Sequence, residues 1–316
     1  MEISFSRIAE LLKTARKIIL TGHIHPDGDC LGSLLALYHA LVARGKEVQM
    51  LIDDNIPVTY HFLPGIEQIA RPVVETTCDV LVVLDASDAE RIGRVAGMVK
   101  APVINIDHHA SNLKFADYWL LDNQAAATGE LIFELLEELK CEITCDIAVC
   151  LYTAIATDCG FFRYANTTAR TLRYAAFLIE CGAQPHVISE YIETKPLTSI
   201  IALGQVLQTL EFYLDGKIAS ISIDRELGDS VQSTEGFINY PRTIEGVEVA
   251  IMFKADEENL IRISFRSKQV DVSKIALSFG GGGHVRAAGC TLAGTLAEVK
   301  ASIVAAVSKE ILESDV

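Results

Sequence analysis

The sequence predicts an α/β protein in which a parallel sheet is followed by a second, smaller α/β domain. Residues 17–21, 79–84 and 103–106 are short apolar runs, and each is followed within two residues by Asp or His. Continuous apolar runs of this length are typical of parallel strands that are buried on both faces. From residue 217 the pattern changes to closely spaced short strands, which indicates the second domain.

The composition is that of a folded protein with a large core. Half of the 316 residues are hydrophobic, and the net charge is -15. No apolar run reaches the roughly 18 residues of a membrane span, and the chain does not open on a signal-peptide pattern, so we expect a cytoplasmic protein without a membrane partner. Eight cysteines without a CxxC pair suit reduced core residues. The charge argues against long duplex nucleic acid as a partner, because that binding needs many Lys and Arg contacts.

The predicted elements alternate between strand and helix and then become helical. Before residue 182 they are helix 5–15, strand 17–21, helix 34–44, strands 46–52, 79–84, 103–106 and 118–121, and helices 128–139, 146–157 and 167–181. Residues 184–200 form a polar, helical connection. In the second domain we predict strands 219–223, 247–253 and 260–267, and helices 272–277 and 296–312.

The stretch from Lys17 to Ser33 joins a buried strand to a helix through a turn that carries His23, Asp27 and Asp29. In a parallel sheet, ligands bind at the carboxyl ends of the strands. Two carboxylates two residues apart repel each other unless a cation holds them, and hard divalent cations bind oxygen and imidazole ligands. An Asp-rich turn without a metal explains this stretch alone equally well.

Further acids and imidazoles follow other predicted elements. Asp85 and the run Asp107-His108-His109 come after two later strands, and Asp158 lies at the end of a helix that Gly160 terminates. Each of these residues alone fits an ordinary turn, but that explanation requires six coincidences. We therefore predict a site for two metal ions about 3.5–4 Å apart, as in two-metal hydrolases. Its ligands are His23, Asp27, Asp29, Asp85, His108 and Asp158.

These motifs resemble those of a known family. GHIHPDGDCLGS, VVLDAS, NIDHHASN and ATDCGFF match the four ordered motifs of the DHH phosphoesterases, and FRSKQVDVSKIALSFGGGGHVRAAG is similar to the family's substrate domain, the DHHA1 type. The resemblance covers nearly the whole chain and points to the stand-alone NrnA-type nanoRNases. It implies a DHH metal-binding domain over 1–185, a helical linker over 186–210 and a DHHA1 domain over 211–316, with an active-site crevice between the two domains.

The resemblance also implies a role for each site residue. Two sets that share one carboxylate would hold the two ions: His23, Asp27 and Asp85 for one, and Asp29, Asp85, His108 and Asp158 for the other. The ions would be manganese, with magnesium or cobalt as alternatives, which agrees with an oxygen-rich ligand set without thiolate. Asp107 would orient His108 through its other ring nitrogen, and His109 would reach the scissile phosphate.

A basic segment of the second domain is the candidate substrate site. Between Arg262 and Cys290 there are five Lys or Arg residues and one acid, and four glycines precede His284. Polyglycine is more often a flexible link, but bare backbone amides can approach a phosphate closely, and the family resemblance favours this interpretation. The predicted substrate contacts are Arg266, Gly281, Gly282, Gly283 and His284, together with Arg163 from the first domain.

The resemblance implies hydrolysis of very short RNA oligonucleotides, including linear dinucleotides such as pApA, and of 3'-phosphoadenosine 5'-phosphate. The alternative enzyme is a phosphodiesterase of cyclic dinucleotides and their linear products, and no residue separates the two. An inorganic pyrophosphatase shares the amino-terminal motifs, but the GGGGH segment resembles the nucleotide-handling branch. A nucleotide sensor without turnover is the alternative from another class. The preferred substrate, the direction of degradation and a homodimeric state stay open.

Overall fold

Eight short strands lie in the first half of the chain, in the computed structural model that describes residues 1–231, 234, 236–257 and 259–314. They are β1 (Lys17–Thr21), β2 (Glu47–Leu51), β3 (Ile69–Ala70), β4 (Thr76–Thr77), β5 (Val80–Leu84), β6 (Val99–Lys100), β7 (Val103–Asp107) and β8 (Tyr118–Leu121). Six of them form a parallel sheet in the order β3-β2-β1-β5-β7-β8, while β4 and β6 pair separately. The predicted parallel sheet is therefore confirmed.

Helices cover this sheet. They are α1 (Phe5–Thr14), α2 (Gly28–Ala43), α3 (Val95–Met98), α4 (Thr128–Glu138), α5 (Cys145–Asp158), α6 (Ala169–Glu180) and α7 (Pro185–Glu193). Ile18 and Leu20 of β1 lie in the core that α1, α2, α4 and α5 share, whereas Ile19 belongs to a second core with Val95 of α3. Because successive strand residues face opposite sides, the apolar runs serve both cores.

The helix after the first strand begins earlier than predicted. It starts at Gly28 instead of residue 34, because the Oδ1 atom of Asp27 accepts the N–H groups of Asp29 and Cys30, both at 3.0 Å. Such a carboxylate satisfies N–H groups that the first turn of a helix leaves without partners. The prediction was wrong here because glycine and acids hide a helical first turn that tertiary contacts stabilise.

The second unit contains a mixed sheet and its own helices. Its strands are β9 (Glu211–Tyr213), β10 (Ile218–Ile223), β11 (Val249–Glu257), β12 (Leu260–Ser267), β13 (Gly282–His284) and β14 (Ala287–Ala293). Its helices are α8 (Leu197–Leu207), α9 (Arg225–Ser230), α10 (Asn239–Arg242), α11 (Val272–Ser278) and α12 (Leu296–Ser314). The strand order is β13-β14-β12-β11-β10-β9, in which β10 and β11 are parallel and the other pairs antiparallel.

The chain divides into two compact units, Met1–Thr194 and Lys195–Val316. Each unit has its own apolar cores, and Phe253, Phe265 and Ile303 belong to one in the second unit. The boundaries predicted at residues 185 and 211 stay predictions. All eight cysteines lie in the described part of the chain and are free. Among the described residues, no helix is both long enough and apolar enough to cross a membrane.

Candidate metal and substrate site

Three neighbouring strands carry site residues at one edge of the parallel sheet. The strands β1, β5 and β7 lie side by side, and His23, Asp85 and His108 follow their carboxyl ends within two residues. Because the strands are parallel, their carboxyl ends meet at the same edge. Asp29 reaches this edge from the first turn of α2, and Asp158 reaches it as the last residue of α5.

The structure brings the six predicted metal ligands together, in two groups whose ligand atoms lie within 4.8 Å of one another. The two groups are His23, Asp27 and Asp85, and Asp29, His108 and Asp158, and a further group of the same kind joins Asp85 and His108 to His109. Asp85 faces both groups, because its Oδ2 atom lies 3.5 Å from Nε2 of His23 and its Oδ1 atom lies 3.7 Å from Nε2 of His108. This is the position that a carboxylate shared between two cations would occupy.

Backbone carbonyl groups orient two of the imidazoles. Nδ1 of His23 lies 2.8 Å from the carbonyl oxygen of Ile24, and Nδ1 of His108 lies 3.3 Å from that of Ala125. Because a carbonyl oxygen only accepts, Nδ1 carries hydrogen in both rings, and Nε2 faces the carboxylates. A neutral ring in this tautomer has its lone pair on Nε2, as a metal ligand requires.

Asp29 is buried at the start of α4. Its Oδ2 atom accepts the N–H of Thr128 at 2.6 Å, and its Oδ1 atom accepts the N–H of Gly129 at 2.8 Å and the hydroxyl of Ser33 at 3.1 Å. The residue before α4 offers no capping side chain, so Asp29 caps this helix from α2. These contacts place Oδ2 of Asp29 3.8 Å from Nε2 of His108.

Glycines allow α2 to approach α5 at backbone distance. A Cβ atom on Gly28 would lie 2.3 Å from Oγ1 of Thr157, and a Cβ atom on Gly32 would lie 2.3 Å from the carbonyl oxygen of Cys150. A larger residue at either position would push the two helices apart. The close approach brings the first turn of α2, with Asp29, next to the end of α5.

Burial and neighbouring charges shift pKa values within the site. Burial lowers the pKa of His23, but contacts with Asp27 and Asp85 outweigh it and raise this pKa to about 11. Burial raises the pKa of Asp85, yet the contact with His23 lowers it below its usual value. Burial raises the pKa of Asp29 and brings that of Asp158 to about 7, and the charge of Asp85 acts in the same direction. The cluster thus binds protons where cations could replace them.

Asp107 holds His109. Its Oδ1 atom lies 2.7 Å from Nδ1 of His109 and accepts the N–H of His108 at 2.9 Å, while its Oδ2 atom accepts from Nδ2 of Asn112 at 2.6 Å. The prediction that Asp107 orients the ring of His108 is wrong, because that ring turns its Nδ1 atom to Ala125. Burial lowers the pKa of His109, but the contact with Asp107 and the charges of Asp85 and Asp158 outweigh this effect and raise the pKa to about 9.

The predicted substrate contacts fall in both units. Arg163 is exposed in the loop after α5, and its Nε atom donates to the carbonyl oxygen of Gly160 at 2.8 Å. In the second unit, Arg266 of β12 and His284 of β13 both pair with Ala287 of β14. Residues that pair across strands lie on the same face of a sheet, so Arg266 and His284 flank a small residue on one face.

The glycine run is part of the fold instead of a free loop. Gly280 has φ +74° and terminates α11, where the N–H groups of Gly280 and Gly281 donate to carbonyl groups of the last turn at 3.0 and 2.8 Å. A Cβ atom on Gly281 or Gly283 would lie 2.1 or 2.5 Å from the backbone of β14. Gly282 has no positive φ, and nothing lies within 4 Å of a Cβ atom placed there. Backbone conformation or close packing therefore explains why glycine occupies three of the four positions, which are Gly280, Gly281 and Gly283.

Sequence reasoning missed three polar residues that contact the site. The buried hydroxyl of Thr128 lies 3.0 Å from Oδ1 of Asp85, and Asn112 contacts Asp107. Nδ2 of Asn166 donates to the carbonyl oxygen of Asp158 at 3.3 Å. Asn112 lies within the motif NIDHHASN and could have been singled out, whereas Thr128 and Asn166 have no local signal.

A parallel-sheet unit followed by a mixed-sheet unit is the arrangement of a DHH domain followed by a DHHA1 domain. Residues 17–155 match the DHH family, N-terminal domain, and residues 215–313 match the DHHA1 domain. The chain belongs to the DHH family, as the sequence motifs predict.

Relatives of known name span almost all of the chain. The bifunctional oligoribonuclease and PAP phosphatase NrnA of Thermus thermophilus is 37% identical over 290 residues, which cover 91% of this chain and 88% of that protein. The protein of the same name from Bacillus subtilis is 27% identical over 294 residues, or 90% of this chain and 92% of that protein. The crystal structure of an exopolyphosphatase-related protein from Bacteroides fragilis has a TM-score of 0.89 at 28% identity, covering 96% of this chain and 95% of that chain.

Proposed function

We propose that this chain is a two-metal phosphoesterase that hydrolyses very short RNA oligonucleotides to mononucleotides and 3'-phosphoadenosine 5'-phosphate to AMP. The observation that carries this function is the position of Asp85, which faces two groups of acids and imidazoles at once. Two relatives that span nearly the whole chain are named as bifunctional oligoribonuclease and PAP phosphatase, which supports the substrate class.

The side chains fit two divalent cations. Carboxylates crowd within contact distance of imidazole Nε2 atoms, and neither group includes a thiolate, which suits manganese. The residues that would hold the ions are His23, Asp27 and Asp85 for one, and Asp29, Asp85, His108 and Asp158 for the other. When bound, the ions would supply positive charge to the phosphate oxygens and lower the pKa of the attacking water.

His109 would act on the phosphate directly. Its ring is 20% exposed, and the carboxylate of Asp107 holds it through Nδ1. In the metal-free site, the contact with Asp107 and the charges of Asp85 and Asp158 raise the pKa of the ring to about 9, which favours the protonated form near neutral pH. Its Nε2–H would donate to a phosphate oxygen and stabilise the charge that develops there as the ester bond breaks.

The second unit would hold the remainder of the substrate. Arg266 and His284 lie on one face of the sheet around Ala287, and the amide of Gly282 belongs to the neighbouring edge strand. A guanidinium, an imidazole and a bare backbone amide on neighbouring strands suit a phosphate group. The net charge of -15 supports short substrates, because a long strand would meet repulsion along an acidic protein surface.

Hydrolysis assays with manganese test the substrate class. We expect the purified chain to cleave pApA and 3'-phosphoadenosine 5'-phosphate much faster than long RNA or a cyclic dinucleotide. Equal rates on long RNA would contradict the proposal. Faster turnover of the cyclic dinucleotide would favour the alternative phosphodiesterase, and binding of pApA without turnover would favour the sensor.

The variant Asp85→Asn tests the shared carboxylate. Asp85 has φ +58°, a conformation that Asn also tolerates, so the variant should fold. Because a bound cation stabilises the transition state by several kcal/mol, we expect kcat to fall by roughly 100-fold or more. The matched control is Asp117→Asn, since Asp117 accepts the N–H of Val103 at the opposite end of β7, and it should retain activity.

A further inference from the structure

A short segment that runs from the loop after β8 into the first turn of α4 contacts two of the proposed metal ligands through its backbone. The carbonyl oxygen of Ala125 lies 3.3 Å from Nδ1 of His108. The N–H groups of Thr128 and Gly129 donate to the two carboxylate oxygens of Asp29 at 2.6 and 2.8 Å. This segment carries no proposed ligand itself, yet it determines how ligands from β7 and α2 are oriented.

Thr128 adds a side-chain contact to a third ligand. Its Oγ1 atom lies 3.0 Å from Oδ1 of Asp85, and both residues are almost completely buried. An ionised carboxylate only accepts, so the hydroxyl donates. Thr128 therefore holds Asp29 of one proposed ligand set by its amide and, by its hydroxyl, Asp85, the carboxylate that both proposed sets share. The bonded oxygen of Asp85 is also the one that faces His108.

Buried and partly buried polar contacts anchor this segment on both sides. Oε2 of the fully buried Glu130 accepts the N–H of Ala126 at 3.3 Å and Nε of Arg170 at 2.9 Å. Nδ2 of Asn166 donates to the carbonyl oxygen of Ala126 at 3.0 Å and to that of Asp158 at 3.3 Å. The segment is thus tied to the backbone of Asp158, and Thr128 cannot shift without breaking buried polar contacts.

We propose that Thr128 is a positioning residue that sets the distance between the two metal-binding groups. Its hydroxyl keeps the carboxylate of Asp85 turned toward both groups, while its amide keeps Asp29 next to His108. This inference rests on the proposed metal centre and adds a residue that no predicted ligand set contains. Removal of groups that hold metal ligands typically weakens metal affinity about 10–100-fold.

The test is a titration of the full chain with Mn²⁺ alone, in which calorimetry measures the affinity for the ion. Thr128→Val removes the hydroxyl at nearly constant volume and retains the backbone N–H that Asp29 needs, and Thr128→Ser restores the hydroxyl. We expect Thr128→Val to bind Mn²⁺ about 10-fold more weakly or worse, with Thr128→Ser close to the unchanged chain. Equal Mn²⁺ affinities of Thr128→Val and the unchanged chain would overturn the inference.

Thr153→Val is the matched control. Thr153 is equally buried, but its hydroxyl donates at 2.8 Å to the carbonyl oxygen of Val149 in its own helix, so we expect unchanged Mn²⁺ affinity. Should Thr128→Val fail to fold by circular dichroism, Thr128→Ala takes its place. Weaker Mn²⁺ binding by Thr128→Ala than by Thr128→Ser supports the inference, and equal binding overturns it. If the unchanged chain binds no Mn²⁺, the proposed function itself is contradicted. This result therefore distinguishes failure of the proposed function from failure of the inference about Thr128.

Discussion

Asp107 and His109 form a pair in which a fully buried carboxylate controls a more exposed ring. Three donors surround the carboxylate of Asp107: the N–H of His108, Nδ1 of His109 and Nδ2 of Asn112. Asn112 also donates to the side-chain oxygen of the buried Asn105 at 2.8 Å. Burial alone would lower the pKa of His109, but the contact with Asp107 and the charges of Asp85 and Asp158 raise it to about 9. The carboxylate of Asp107 thus fixes the direction of the ring and contributes to its positive charge.

The variant Asp107→Asn should lower the pKa of His109. An amide acceptor lacks the negative charge that favours the protonated ring, so the pKa falls toward the ordinary histidine value of about 6.5. If protonated His109 assists hydrolysis, the chain is active at pH values below the pKa of His109 and loses activity as the pH rises through that pKa. We therefore expect the alkaline limb of the kcat profile for pApA to move to lower pH, measured at saturating manganese.

The control for this experiment is Asp79→Asn. Asp79 accepts the N–H groups of Arg16 and Lys17, away from the site at the start of β1, and its substitution should leave the pH profile unchanged. A uniform loss of activity in Asp107→Asn with an unmoved alkaline limb would show that Asp107 supports the fold of the site and does not set the charge of His109.

At the scale of elements, the end of α5 combines an acid with an unusual backbone. Gly160 terminates the helix with φ +58°, as predicted, and Phe161 and Phe162 continue with φ +55° and +63°. Left-handed conformations cost about 1–2 kcal/mol for each residue other than glycine. Asn166 holds this turn by donating to the carbonyl oxygen of Asp158. An acid at a helix C-terminus is electrostatically unfavourable, which agrees with a cation that compensates it.

The glycine run allows a test that separates folding from substrate binding. Gly282→Ala adds a methyl group in open space at an ordinary φ, so the melting temperature should stay nearly unchanged. If the amide of Gly282 approaches a phosphate, the methyl group obstructs it and KM for pApA should rise several-fold at similar kcat. Kinetics and thermal melting of the same preparation measure both effects.

Gly283→Ala provides the contrast. Gly283 has φ +138°, and a Cβ atom there would lie 2.5 Å from Cα of Ala288, so this variant should lose stability. An unchanged KM in Gly282→Ala would remove this amide from the predicted substrate contacts and leave the run with its structural roles alone.

At the scale of the whole molecule, all six proposed metal ligands belong to the unit Met1–Thr194. Ions that bind only the folded form stabilise it, by about 2.7 kcal/mol at a concentration 100-fold above Kd. We expect manganese to slow amide hydrogen exchange in the strands and helices of this unit, around β1, β5, β7 and α4. Exchange in the unit Lys195–Val316, which has its own cores, should change little.

Hydrogen exchange followed by mass spectrometry, with and without manganese, measures this difference. The variant Asp85→Asn is the control, because loss of the shared carboxylate should abolish the protection by manganese. Equal protection of both units, or protection that persists in Asp85→Asn, would speak against a metal centre confined to the first unit.

Much of this molecule follows from its sequence because the relevant signals are local. Apolar runs that end on Asp or His predict parallel strands, and Gly160 predicts the end of α5. Because the carboxyl ends of parallel strands lie at one edge of the sheet, the acids and imidazoles that follow these strands are expected to meet there. The early start of α2 could not be predicted, because Asp27 caps the helix through the N–H groups of Asp29 and Cys30 in a turn whose composition is that of a loop.

Sequence alone determined the fold class, the family and the candidate ligands, since each depends on residue types and on order along the chain. Only the tertiary structure decided that Asp107 holds His109, that Thr128 contacts Asp85, and that most of the glycine run is needed for packing. These contacts join residues from separate elements, whose meeting depends on how helices and strands pack. A side chain's partner is therefore set by three-dimensional packing, which short motifs do not encode.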